Sequence, residues 1–178
     1  MPETTTLLLT RDDIDRILQR MAHEIIEKSR KEEAPALVGI RIRGDALAER
    51  LRRLLENLYG TSLDIGALDI GLYRDDVERG NGIPELRSTD IDFDVDERHI
   101  ILVDDVFYTG RTVRAALNAM FDLGRPRRVE LVVLVDRGHR ELPIRPDYVG
   151  RKIKTRSDEK IEVKLSEVDG EDAVYLAH

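Results

Sequence analysis

Apolar residues recur at positions 14, 17, 18, 21, 22, 25 and 26, the spacing of one helix face. Thr10 precedes them with Asp13 three residues on and Asp12 in the first turn, which predicts a helix capped at Thr10. The opposite face carries Arg16, Arg20, His23, Glu24, Glu27 and Lys28, a pattern that a solvated surface explains more readily than a binding one. From residue 36 the period changes. ALVGIRI reads as a core strand, and Ala46, Leu47, Leu51, Leu54, Leu55 and Leu58 make a second amphipathic helix. Residues 63–73 have strand character, with Gly66 and Gly71 marking a bulge or a bent end.

Residues 100–103, IILV, form a short β-branched run of the kind buried on both faces of a parallel sheet. A helical pattern follows at Val113, Ala116, Leu117, Met120 and Phe121, stopped by Gly124 and Pro126. VELVVLV, residues 129–135, is another buried strand, and shorter strands are expected at 148–149, 161–165 and 173–176. Strands alternating with helices imply an α/β domain with a central, mostly parallel sheet, flanking helices and right-handed crossovers. The irregular C-terminal β structure would cap the strand ends as a small hood. Residues 74–97 show no period, and residues 74–98 hold nine acids and four arginines. Such a connection is either disordered or a mobile lid. Residues 91–95 read as the return strand of a hairpin within it.

The chemistry gathers at strand ends. Asp104 and Asp105 follow the 100–103 run, and ligands of open α/β sheets sit beyond the carboxyl ends of strands. Adjacent carboxylates raise each other's pKa, so they call for a metal ion or a pair of sugar hydroxyls. Thr109, Gly110, Arg111 and Thr112 then offer amides, hydroxyls and a guanidinium at a helix start, which suits a phosphate. Magnesium-dependent phosphatases and response regulators also end a strand in two acids, and a Thr-Gly turn can be an ordinary cap. A second strand end presents Arg41, Arg43 and Gly44 at the mouth of a helix, either a tight turn or a pyrophosphate site.

Composition narrows the options. The 178 residues suffice for one ordinary domain, and 41% hydrophobic residues supply a core. Absence of cysteine excludes disulfides, thiolate metal sites and cysteine nucleophiles. Leu7, Leu8 and Leu9 are too short a run for a signal peptide, and no stretch reaches the length of a membrane span, so a cytoplasmic protein is expected. A net charge of −7 argues against indiscriminate nucleic-acid binding. Yet residues 137–156 carry Arg137, Arg140, Arg145, Arg151, Lys152, Lys154 and Arg156 against only Glu141 and Asp147. That local excess is either a solvated basic edge or a polyanion site.

The string ILVDDVFYTGRT closely resembles the phosphoribosyl-pyrophosphate (PRPP) motif of type I phosphoribosyltransferases. DIGLYRDD, VDDVFYTGRTVRAAL and VDRGHRELPIRPDYVG together resemble the PyrR family of bacterial pyrimidine-operon regulators, over essentially the whole chain. The resemblance implies a type I phosphoribosyltransferase fold in a single domain, 1–178, with a lid at about 74–97 and a hood at about 137–178. It implies conversion of uracil and PRPP to UMP and pyrophosphate, with Mg²⁺ carried mainly by pyrophosphate oxygens. Asp104 and Asp105 would hold the ribose hydroxyls, and Arg74 would close over the pyrophosphate with the lid. Arg41, Ile42, Arg43 and Gly44 would line the pyrophosphate site, with Val106, Phe107, Tyr108 and residues Thr109, Gly110, Arg111 and Thr112 around the 5′-phosphate. Arg137 would lie beside base or phosphate. The family's RNA surface maps to Arg20, His23, Lys28, His139, Arg140 and Arg145. The implied partner is the leader mRNA of pyrimidine genes, bound with UMP to repress transcription or translation, by a homodimer or larger homo-oligomer. Two other readings remain open: a plain uracil or purine phosphoribosyltransferase without an RNA role, and an RNA-binding nucleotide sensor with vestigial catalysis.

Overall fold

The computed structural model describes residues 4–29, 33–71 and 89–178. Residues 74–88, most of the expected lid and Arg74 with it, lie outside them. In chain order the elements are β1 (Thr5–Leu9), α1 (Arg11–Lys28), β2 (Ala36–Ile40), α2 (Gly44–Tyr59), β3 (Ile65–Leu68) and β4 (His99–Phe107). They continue with α3 (Arg111–Leu123), β5 (Arg128–Asp136), β6 (Tyr148–Lys152), β7 (Lys160–Lys164), α4 (Ser166–Asp169) and β8 (Ala173–Ala177).

Five strands pair in the order β3-β2-β4-β5-β6, every pair parallel. Each residue of β2 is buried, as expected of a strand covered on both faces. One face packs on α1 and α2 through Ile14, Ile17, Leu18, Leu47, Leu51 and Leu55. The other packs on α3 through Val113, Ala116 and Met120. β2 leads outward to β3 while β4 leads the other way to β5 and β6, so the strand order reverses between β2 and β4. A crevice opens at such a switch point, beyond the carboxyl ends of the two strands. Their register pairs Gly39 with Val103, which brings residues 41–45 beside Asp104 and Asp105.

Four features depart from the sequence expectations. Leu7, Leu8 and Leu9 belong to a strand, β1, which joins β8 and β7 in a separate antiparallel sheet, so the hood is built from both ends of the chain. β6 is the edge of the central sheet, paired with β5, and not part of the hood. Residues 91–95 form no strand. Val95 is buried against the α3 face with Ile91 and Phe93 partly buried beside it, and the backbone makes one bridge nearby, Ala67 to Asp90. Of the strand expected at 63–73, the described residues form β3, Ile65–Leu68, and residues 72 and 73 lie outside them. The cap of α1 forms as expected. The Asp13 amide donates to the Thr10 hydroxyl, while the Thr10 amide and hydroxyl donate to the Asp13 carboxylate and hold it down to about 2.

Candidate functional site

β4 delivers both carboxylates to the crevice. Asp104 is 4% exposed, and Asp105 is half-buried on the next residue. The Asp105 amide donates to Asp104 Oδ1 at 2.9 Å, and the Val106 amide donates to Asp105 Oδ1 at 2.8 Å. These bonds fix both carboxylates against their own backbone. Burial pushes the Asp105 carboxyl above its ordinary range, against the opposing pull of the Asp104 side chain, the Val106 amide and the Arg43 cation. Hydroxyl donors or a cation would restore its charge.

Beyond Phe107 the chain turns into α3. Gly110, at φ 96°, caps the helix in a conformation that costs glycine little. α3 has no side-chain cap and no acid in its first turn, unlike α1. Its N-terminal charge is therefore left for an anion. The Thr109 hydroxyl accepts from the Arg111 amide at 3.2 Å, and the Thr109 carbonyl accepts from the amides of Glu141 and Leu142 at 2.9 and 3.3 Å. The phosphate-type loop is thus stitched to the segment that follows β5. Arg111 and Thr112 are half-buried, and Arg111 Nε lies 3.5 Å from Glu141.

Opposite these residues, the loop after β2 folds back on β4. A Cβ at Gly44 would stand 2.5 Å from the Val103 carbonyl oxygen, so only glycine allows the approach. The Arg41–Ile42 peptide is cis, and Ile42 is exposed at the tip. Arg41 Nε is buried without a hydrogen-bond partner among the described residues. Arg43 reaches the hood, donating from Nη2 and Nε to Asp169 at 2.8 and 3.1 Å. This pairing holds the Asp169 carboxyl below its usual value. On the adjacent strand end, Asp69 Oδ2 is buried and accepts no bond among the described residues, while its Oδ1 accepts from the Gly71 amide at 2.9 Å. A buried guanidinium nitrogen and a buried carboxylate oxygen, each without a partner among the described residues and each just past the end of the paired strands β2 and β3, suit a hydrated Mg²⁺–polyphosphate, which presents both charges and needs few protein ligands. Among the described residues no cluster of three metal-ligating side chains stands ready to hold the ion alone.

Arg137 is 7% exposed and reaches the hood loop. Its Nε donates to Thr155 Oγ1 at 3.1 Å, and Nη2 donates to the carbonyls of Glu159 and Arg156 at 2.6 and 3.3 Å. Its guanidinium carbon lies 4.0 Å above the centre of the Tyr108 ring. Tyr108 meets the His139 ring edge-on at 5.6 Å, and His139 Nε2 lies 2.7 Å from the Thr155 carbonyl oxygen.

The remaining predicted residues flank the β6 edge. On the α1 face, Arg20 pairs with Glu24 at 2.6 Å and donates to the carbonyls of Val149, at 3.3 Å, and Gly150. His23 is exposed, and Lys28 Nζ sits 4.7 Å from the Tyr148 ring centre. On the other face Arg140 and Arg145 are exposed and line one cavity. Sequence reasoning passed over Asp69 and Asp169. Asp169 lies 126 residues from Arg43, and nothing local marks it. Asp69 had a local signal, an acid directly after a strand, as at Asp104.

Comparison with known proteins bears on this arrangement. The model of the phosphoribosyl transferase domain matches residues 8–168. A hypoxanthine phosphoribosyltransferase of Trypanosoma cruzi superposes with a TM-score of 0.75 at 16% identity, covering 100% of this chain and 93% of that one. One from Staphylococcus aureus does so with a TM-score of 0.68 at 21% identity, covering 94% and 89%. Fold and site therefore define a type I phosphoribosyltransferase domain. Among curated proteins, the bifunctional protein PyrR of Deinococcus deserti is 55% identical over 95% of this chain and 92% of its own length. A PyrR of Thermus thermophilus is 53% identical over 95% and 93%, and that of Clostridioides difficile is 50% identical over 95% and 96%. The chain belongs to the PyrR family.

Proposed function

We propose that the protein transfers the phosphoribosyl group of PRPP to uracil, and that with UMP bound it represses pyrimidine genes by binding their leader mRNA. The observation that carries the catalytic half is the joining of two adjacent carboxylates, at the end of β4, to the start of α3, which has no side-chain cap. That order matches a ribose diol next to a 5′-phosphate.

Uracil attacks C1′ as pyrophosphate departs, through a transition state with oxocarbenium character. Asp104 and Asp105 accept from the 2′- and 3′-hydroxyls, and their charge favours the positive ring. Residues 109–112 grip the 5′-phosphate, with Val106, Phe107 and Tyr108 framing it. Arg41 and Arg43 neutralise the leaving group across the Ile42–Gly44 loop, and Arg74 closes over it. When bound with PRPP, Mg²⁺ adds charge neutralisation on the pyrophosphate oxygens. Arg137 braces Tyr108 beneath the base side of the cleft. Positioning and preorganised charge supply the rate, and no side chain is assigned as general base.

RNA docks around the β6 edge, on Arg20, His23 and Lys28 of α1 and on His139, Arg140 and Arg145 beyond β5. Recognition of this kind favours splayed loops and phosphates. A homodimer doubles the face. No helix among the described residues is long and apolar enough to cross a membrane, and a cytoplasmic location fits a partner that is a leader mRNA.

Incubating the protein with radiolabelled uracil, PRPP and Mg²⁺ tests the catalytic half. Formation of labelled UMP is expected. Label transfer from hypoxanthine or guanine, with uracil inert, would assign the site to purines instead.

A further inference from the structure

Beyond the ends of β4 and β5 lies a cavity of about 390 Å³, within the range of small-molecule sites, roughly 300–1,000 Å³. Neither Asp104 and Asp105, nor residues 41–44, nor residues 109–112 line it. Its apolar wall includes Phe107 and Val149, and Arg140, Arg145 and Lys152 bring positive charge. None of these three cations forms an ion pair among the described residues, whereas Arg20, Arg111 and Arg156 each do. The one carboxylate in the lining is Asp136, paired in register with Phe107. Its Oδ1 accepts from the Gly138 amide at 3.0 Å, and its Oδ2 accepts from no described residue.

A ligand for this cavity must bring negative charge to three cations, a flat apolar surface to Phe107 and Val149, and hydrogen-bond donors to Asp136. A nucleotide of a polyanion brings all three. A carboxylate only accepts, so the base must present donors. Uracil offers one imino donor between two carbonyls that Asp136 would repel. Adenine and cytosine offer a single amino group. Guanine alone offers two adjacent donors, N1–H and the 2-amino group, matched to a carboxylate. Unpaired RNA bases are read in this way, stacked and hydrogen-bonded on their Watson–Crick edge. We infer that this cavity receives an unpaired guanine nucleotide of the bound leader RNA, with Asp136 reading its donor edge. The inference rests on the RNA-binding reading above and names what that surface selects.

Leader transcripts carrying inosine, which lacks the 2-amino group, at single unpaired guanosine positions are titrated with UMP-loaded protein. At one position inosine should weaken binding about tenfold, within the range of a bidentate base contact. Asp136→Asn and Asp136→Ala proteins, checked for an unchanged melting transition, should bind the inosine and guanosine transcripts alike. If wild type binds the unmodified leader yet no single inosine costs more than about twofold, the guanine site is refuted. Full discrimination retained by either Asp136 variant would refute it too. Failure of wild type to bind the unmodified leader would overturn the RNA reading itself, and this inference with it.

Discussion

Arg43 and Asp169 join the cleft to the hood: the guanidinium grips both carboxylate oxygens at 2.8 and 3.1 Å, although the residues lie 126 apart in sequence. Asp169 is itself fixed, accepting from the Leu165 amide at 2.9 Å. The contact leaves the Nη1 side of Arg43 for a ligand while holding the arm in place. Asp169→Asn keeps the shape and removes the charge. We expect kcat/KM for PRPP to fall about tenfold, most of it in KM, because a charge-assisted bond fixing the pyrophosphate arm is weakened. Steady-state kinetics with PRPP varied would check this, and an unchanged KM would make the contact merely structural.

The carboxylate pair carries the strongest prediction. Asp104→Asn with Asp105→Asn removes both charged acceptors while retaining amides of the same shape. Turnover should drop below detection, and PRPP should no longer bind by calorimetry. Retained turnover would remove the ribose-clamp role from both residues.

The same pair predicts a stability effect of opposite sign. Burial raises the Asp105 carboxyl above its ordinary 3.8, so the folded chain holds that proton more tightly than the unfolded chain. Stability from this group therefore falls as pH climbs from 3.8 through the raised value and levels off above it. Asp105→Asn removes the cost. The substituted protein should melt higher than wild type, by about 2–4 °C per kcal/mol recovered, with a larger gain near neutrality than at about pH 4. Calorimetry at the two pH values checks the sign.

Much of this site was legible because its signals are local. Ile100–Val103, Asp104–Asp105 and Thr109–Thr112 place strand, acids and loop in one short run, and strand-then-helix patterning put that run at a crevice. Long-range pairing was not legible. β1 is recognisable as a strand only through its partner, since Leu7 pairs with Tyr175 at the other end of the chain. Residues 91–95 alternate apolar and polar as a strand does, yet the only pairing beside them is the bridge of Asp90 to Ala67 of β3, and no ladder continues from it among the described residues. The Arg43–Asp169 contact and the Asp136 cavity likewise arise only when distant segments meet.

Distance from the cleft gives a control. Glu130 is 5% exposed on β5, bonded by Arg128 at 2.6 Å and by Tyr148 at 3.5 Å, and 2.7 Å from His99 Nε2. Glu130→Ala strips a buried histidine and tyrosine of their partner. Stability should fall by about 3–5 kcal/mol in urea titration, as for other broken buried pairs. His99 begins β4 at the end opposite the carboxylates, so the folded fraction should keep its KM for PRPP.

Arg140 and Arg145 are exposed and free of ion pairs among the described residues. Alanine at both should weaken leader-RNA binding and reduce the slope of log affinity against log salt by about 1 per lost phosphate contact. Turnover should stay close to wild type. Equal loss of turnover and RNA binding would place them in the catalytic cleft instead.

One pocket is proposed to serve both catalysis and UMP sensing. Titration of the leader transcript with protein, in the absence and presence of saturating UMP, separates this from two independent roles. Linkage requires UMP to tighten RNA binding by the same factor by which RNA tightens UMP binding. A lower Kd for RNA is expected with UMP present, and loss of that response in the Asp104→Asn, Asp105→Asn protein. An RNA Kd indifferent to UMP, or no RNA binding in either state, would contradict it.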